Sequence, residues 1–105
     1  EALAASGISV EVIDPRTLAP LDMDTILTSL RKTGKLLVAD ESFGPCGIGA
    51  EIAAQIMETG FDDLAAPVRR LNGIHTPTPF SPPLEAAVVP SVDQVIAAVR
   101  DLAAE

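Results

Sequence analysis

The run Lys35-Leu36-Leu37-Val38-Ala39-Asp40 most narrows what this chain can become. Its centre is apolar at every position, so a strand built from it has no face suited to water. Such a strand belongs in a parallel sheet roofed on both sides by helices. The sequence before it supplies one helix. Met23, Ile26, Leu27 and Leu30 fall at i, i+3, i+4 and i+7, a single apolar stripe. Asp22 stands at the N-cap, Asp24 in the first turn and Arg31 and Lys32 in the last, which complements the helix dipole. Gly34 ends it.

The sequence after the run supplies more. The loop Gly44-Pro45-Cys46-Gly47-Ile48-Gly49 leads into a helix starting near Gly47. Ile48, Ile52 and Ile56 form its stripe, widened by Ala53 and Met57, and Gly60 closes it. Residues 61–66 form a turn or a brief helix. Residues 67–72 form a shorter, more polar strand. Residues 73–90 hold five prolines and are expected to be extended, with few backbone donors. Ser91 and Gln94 make a capping box for a last helix whose apolar face is Val92, Val95, Ile96, Val99 and Leu102.

The beginning of the chain reads in the same way. Residues 1–6 look like the last turn of a helix, with Gly7 as its cap. Residues 8–13 are rich in β-branched side chains and predict another strand. The stretch Asp14-Pro15-Arg16-Thr17-Leu18-Ala19-Pro20 then joins strand to helix, stiffened by two prolines and carrying an acid and a base. The order strand, helix, strand, helix, strand, extended loop, helix predicts an α/β domain of three layers, with right-handed parallel crossovers. Three strands make a narrow sheet. One more strand before Glu1 is expected, so residues 1–105 are read as one N-terminally truncated domain.

Composition limits the partners. The net charge of −8 excludes a nucleic-acid binder that works through a basic surface, and it suits a basic protein partner. The core must be aliphatic, because the only aromatics are three Phe. A single cysteine, Cys46, forbids an intramolecular disulfide and agrees with a reducing, cytoplasmic compartment. No apolar stretch reaches membrane-spanning length.

Few residues offer chemistry. The glycine loop could cradle a phosphate on helix N–H groups. Its spacing is not the dinucleotide order, and Asp40 and Glu41 beside it would repel an anion. A tight turn with close helix packing is the plainer reading. Cys46 at a helix start and His75, the only histidine, are the two halves of a thiol hydrolase, although nothing in the sequence joins them. One His and one Cys build no zinc site. Asp62 and Asp63 read as cap residues, and Arg69 and Arg70 as salt-bridge partners of flanking helices. No constellation makes a self-contained active site. The chain reads as a binding or assembly domain, or as part of a larger enzyme.

Several separated motifs resemble one family. They are residues 10–22 with Thr25-Ile26 and Lys32-Thr33-Gly34-Lys35, then Asp40-Glu41 with Gly47-Ile48-Gly49-Ala50-Glu51-Ile52. Leu64-Ala65-Ala66-Pro67-Val68-Arg69-Arg70 and His75-Thr76-Pro77-Thr78-Pro79-Phe80 follow in order. Together they are similar to the C-terminal domain of E1 β subunits of thiamine-diphosphate-dependent 2-oxo acid dehydrogenases. The resemblance implies a three-layer α/β/α domain of the transketolase C-terminal type, lacking its first strand and most of its first helix. It implies a parent enzyme that oxidatively decarboxylates a 2-oxo acid and passes the acyl group to lipoyl-E2. Thiamine diphosphate and magnesium would be held by the α subunit and the N-terminal domain of the β subunit, with none bound by this fragment. The implied partners are the E1 α subunit, a second β subunit and the small basic binding domain of E2. No catalytic, cofactor or metal residue carries over. Asp14, Arg16, Glu41 and His75 are the candidate interface, His75 standing where many members have an acidic residue. The alternatives are the Cys46–His75 thiol hydrolase and an unrelated protein-binding module.

Overall fold

The chain's glycines and capping residues punctuate it where expected. The computed structural model describes all of residues 1–105. Helix α1 covers Met23–Thr33, with the Asp22 carboxylate accepting from the Thr25 amide and Gly34 left-handed at its end. Helix α2 covers Ile48–Thr59. Strand β1 is Leu37–Phe43 and strand β2 is Arg69–Gly73, each displaced by a few residues from its predicted span. A single 3-10 turn, Phe61–Asp63, separates α2 from β2. Helix α3 is Pro82–Val88 and helix α4 is Val92–Ala104, the latter opened by the full Ser91–Gln94 capping box.

β1 and β2 pair in parallel, with Leu37 opposite Arg69 and Asp40 opposite Asn72, before the register slips and Phe43 meets Gly73. α1 and α2 cover one face. Ile26, Leu27, Leu30, Ile52 and Ile56 form the buried core there, with Val38 of β1 packed against it. α4 covers the other face, where Arg69 reaches the Glu105 carboxylate at the helix end and Lys35 donates to the Ala103 carbonyl, 3.0 Å away. The result is three layers, α/β/α.

Three expectations need correction. Residues 8–13 do not form a strand: the sheet has two strands, and no backbone ladder reaches this segment. β-branched composition favours an extended chain, but a strand exists only when a neighbour answers its hydrogen bonds. The segment is fixed instead by side chains. Lys32 Nζ of α1 donates to both Glu11 carboxylate oxygens, at 3.1 and 3.3 Å, and Ile13 packs on the core. Residues 73–90 are not wholly extended, because Pro82 and Pro83 open α3. A proline's missing N–H costs nothing in the first helical turn, so the pair starts a helix where it was read as excluding one. Val92 and Met57 stay exposed, so the apolar faces of α4 and α2 are narrower than their sequence stripes.

Candidate functional site

Chemistry-bearing side chains gather where β1 and β2 end. The β1 backbone bends after Asp40, whose carboxylate accepts from the Ser42 amide at 3.0 Å and also from the Ser42 hydroxyl. This is a local turn that uses up the acid. Opposite the bend, Gly73 leaves no room for a side chain: a Cβ there would meet the Glu41 carbonyl oxygen. Glu41 itself is exposed. His75, two residues past β2, lays its ring against Phe43 with centroids 5.1 Å apart. Both lie at the same end of the sheet, but no hydrogen bond joins them.

The glycine loop is a structural turn. Cys46 is left-handed, at φ 57°, and exposed. A Cβ on Gly47 would meet the Phe43 carbonyl oxygen, and one on Gly49 would stand 3.4 Å from Val38. These glycines let α2 start tightly and approach the sheet. Arg70 donates to the Gly44 carbonyl at 3.0 Å and pins the loop. With Arg69 on Glu105, both arginines of β2 are engaged within the domain. Cys46 and His75 share no hydrogen bond, so the structure does not assemble the pair a thiol hydrolase needs.

Asp14 and Arg16 are brought together. Arg16 Nε donates to Asp14 Oδ2 at 2.6 Å, and both side chains are largely exposed, at 83 % for Arg16 and 63 % for Asp14. Arg16 has φ 59°, a left-handed turn that folds its side chain back along the segment. No hydrogen bond links this pair to Glu41 or His75. The four candidate interface residues therefore sit on the surface as one ion pair and two separate groups.

Two carboxylates are held below their ordinary pKa range. Lys32, first, and the Ser29 hydroxyl lower that of Glu11. Thr25 lowers that of Asp22, through its hydroxyl and its amide. Both effects favour the ionised, structure-holding form.

The sequence reading missed Phe43 and Asn72. Phe43 matters only through the register that sets it beside His75. The Asn72 amide nitrogen is buried without a hydrogen-bond partner, close to Gly44 and Gly49; a lone Asn in a polar strand gives no sign of that. No group of three or more His, Cys, Asp or Glu side chains converges to hold a metal ion. No helix is long and apolar enough to cross a membrane.

Comparison with known proteins gives this surface a context. The chain is 46% identical over 103 residues to the acetoin:2,6-dichlorophenolindophenol oxidoreductase subunit beta of Bacillus subtilis, covering 98% of this chain and 30% of that protein. It is 44% identical to the mitochondrial pyruvate dehydrogenase E1 component subunit beta of Dictyostelium discoideum, over 95% of this chain and 28% of that one. It is 47% identical to the corresponding subunit of Rickettsia bellii, over 93% and 30%. The chain thus spans less than a third of the length of these relatives. The family model for the transketolase C-terminal domain matches residues 1–95, and the chain belongs to that family.

Proposed function

We propose that this chain is the C-terminal, subunit-association domain of an E1 β subunit. The observation that carries the reading is the match to β subunits over 98% of the chain. It is supported by a domain whose polar groups are spent on turns, caps and surface ion pairs rather than on a reaction centre. The relatives named for acetoin and for pyruvate are similarly close to this chain, so the substrate is a small carbonyl compound of that kind. For a 2-oxo acid, the bond between carbonyl and carboxylate carbons breaks and carbon dioxide leaves. The lipoyl disulfide on E2 takes the electron pair, and the acyl group bonds to one of its sulfurs.

Thiamine diphosphate supplies the carbanion-stabilising chemistry in such enzymes. The residues present do not fit it or its magnesium. The one glycine-rich helix start is flanked by Asp40 and Glu41, both arginines of β2 are engaged, and no metal-ligand cluster exists. The cofactor sites therefore belong to other parts of the enzyme. This domain's contribution is surface: Asp14, Arg16, Glu41 and His75 face the α subunit, the second β subunit or the basic binding domain of E2. The net charge of −8 suits that last partner. A bacterial cytoplasm, where Cys46 stays reduced, suits the lone thiol.

The test has two arms. Isothermal titration of the 105-residue chain with thiamine diphosphate and magnesium should show no binding, and the chain should not turn over pyruvate or acetoin. In the whole β subunit, Asp14→Lys with Glu41→Lys should weaken subunit or E2 association about tenfold, more at low salt than at high. Cofactor binding by the isolated chain would sink the accessory role. Unchanged association would remove these residues from the interface.

A further inference from the structure

The chain has a single asparagine, Asn72, and a glycine follows it. Asparagine before glycine can lose its side-chain amide without an enzyme. The Gly73 backbone nitrogen gives up its proton and attacks Asn72 Cγ. The bond from Cγ to Nδ2 breaks, and Nδ2 leaves with a proton as ammonia. Water then opens the resulting five-membered succinimide ring at either carbonyl carbon. One opening gives aspartate. The other gives isoaspartate, in which the main chain runs through the former side chain and gains a methylene. The sum is asparagine plus water going to an acid plus ammonia. A side chain on the following residue would hinder the attack, and glycine has none.

Three features of the fold bear on this reaction. Gly73 is required by the sheet, because a Cβ there would meet the Glu41 carbonyl oxygen. The leaving nitrogen, Asn72 Nδ2, is buried and makes no hydrogen bond, so no partner tethers it. The backbone, in contrast, opposes the reaction. Asn72 pairs with Asp40 of β1, and Gly73 with Phe43. Ring closure needs the Gly73 nitrogen eclipsed with Cβ about the Cα–C bond of Asn72. The ψ of a parallel strand turns that nitrogen roughly 120° away. β2 must therefore leave its neighbour before the ring can close.

We infer that Asn72-Gly73 is a deamidation site, locked by the pairing of β1 with β2 and released when that edge of the sheet opens. The lock stands at a strand end: β2 stops at Gly73, and the register slips between Asp40 and Phe43. Strand ends open at a lower free energy than core segments. The reaction then makes the opening permanent. An aspartate at position 72 sets a second carboxylate opposite Asp40, and like charges facing each other across paired strands repel. An isoaspartate lengthens the backbone and cannot restore the pairing of Asn72 with Asp40 and of Gly73 with Phe43. The ring contact of His75 with Phe43 depends on that register and goes with it. The inference does not rest on the subunit-association reading.

Peptide mass spectrometry of the full-length protein tests the inference. Trypsin cleaves after Arg70 and Arg100 and releases residues 71–100, which carry the one asparagine. Fragmentation separates a change at Asn72 from one at Gln94. The protein is aged at mildly alkaline pH, folded in buffer and unfolded in guanidinium chloride. Asn72 should convert at least about tenfold more slowly in buffer than in denaturant. Isoaspartate at position 72 is counted by methylation with an isoaspartyl methyltransferase. In the sample aged in buffer, molecules carrying isoaspartate there should show fast amide exchange over residues 38–43 and 70–73, while unreacted molecules stay protected. Equal conversion rates in buffer and denaturant overturn the lock. No conversion in denaturant overturns the site. Full protection in the isoaspartate molecules overturns the permanence of the opening. Cofactor binding and subunit association enter none of these measurements, so failure here leaves the subunit-association reading standing, and the reverse.

Discussion

Replacing Ile56 with alanine should bring this domain close to unfolding. Ile56 is wholly shielded from solvent and sits among Ile26, Leu27, Leu30 and Ile52, where α1 meets α2. The substitution removes three carbons. At about 0.8 kcal/mol each, the lost transfer energy is about 2.4 kcal/mol. The site has little freedom to collapse, because a Cβ on neighbouring Gly60 would already stand 2.6 Å from Leu27 Cδ2. A residual cavity of roughly 60 Å³ at about 24 cal/mol per Å³ adds about 1.4 kcal/mol. The expected loss is about 4 kcal/mol. Only ten of 105 residues are buried, which places the whole domain near the low end of the usual range, about 5 kcal/mol. Urea melts followed by circular dichroism should therefore show Ile56→Ala with almost no folded baseline. Ile56→Val should lose only about 1 kcal/mol, at an unchanged slope. A loss below about 1 kcal/mol for the alanine variant would refute the placement of the core between α1 and α2.

Two further outcomes follow from the same geometry. Gly73→Ala places a Cβ on the Glu41 carbonyl oxygen, so β1 and β2 must part at their bulge; a loss of about 2 kcal/mol is expected, with the largest chemical-shift changes at residues 41–43 and 73–75. Acid should weaken the domain partly through Glu11 and Asp22. Both hold their protons less tightly folded than unfolded, so their contribution is whole above the ordinary carboxylate range, about 4 to 4.5, and is lost as pH falls through it to the lower folded values. The double variant Glu11→Gln, Asp22→Asn should be less stable than the parent at pH 7 and should lose less stability between pH 6 and pH 3. An identical acid profile for the two would contradict these pKa directions.

The helices were legible because each writes its own rules locally. α1 follows from a 3.6-residue stripe between an aspartate cap and a left-handed glycine, and α4 from a serine–glutamine box. Those signals lie within one or two turns of the residues they govern. α3 was lost because the prolines of residues 77–90 were read together as extended chain, when the pair at 82 and 83 occupies positions that need no N–H. In the site, the acid and base of residues 14–16 were legible as neighbours, but their pairing was not. It depends on the positive φ of Arg16, at a residue type that gives no warning of it. The ring contact of His75 with Phe43 was further out of reach, since it exists only after two strands 30 residues apart have found their register.

Residues 8–13 pose the sharper case, because there the local signal and the structure disagree without either being at fault. Val10, Val12 and Ile13 favour an extended backbone, and the backbone lacks any ladder. What they do not carry is a partner, and strand formation is a property of pairs. The Glu11–Lys32 ion pair shows how the segment is held without one: it ties the chain to the last turn of α1, beside the sheet rather than in it. An exposed ion pair of this kind stabilises by less than about 1 kcal/mol, far less than a row of ladder bonds with buried valines would. The segment is therefore held by side chains, the ion pair and Ile13 on the core, and not by backbone bonds. A free apolar edge of this sort ordinarily invites self-association. The net charge of −8 opposes that for two copies of the chain.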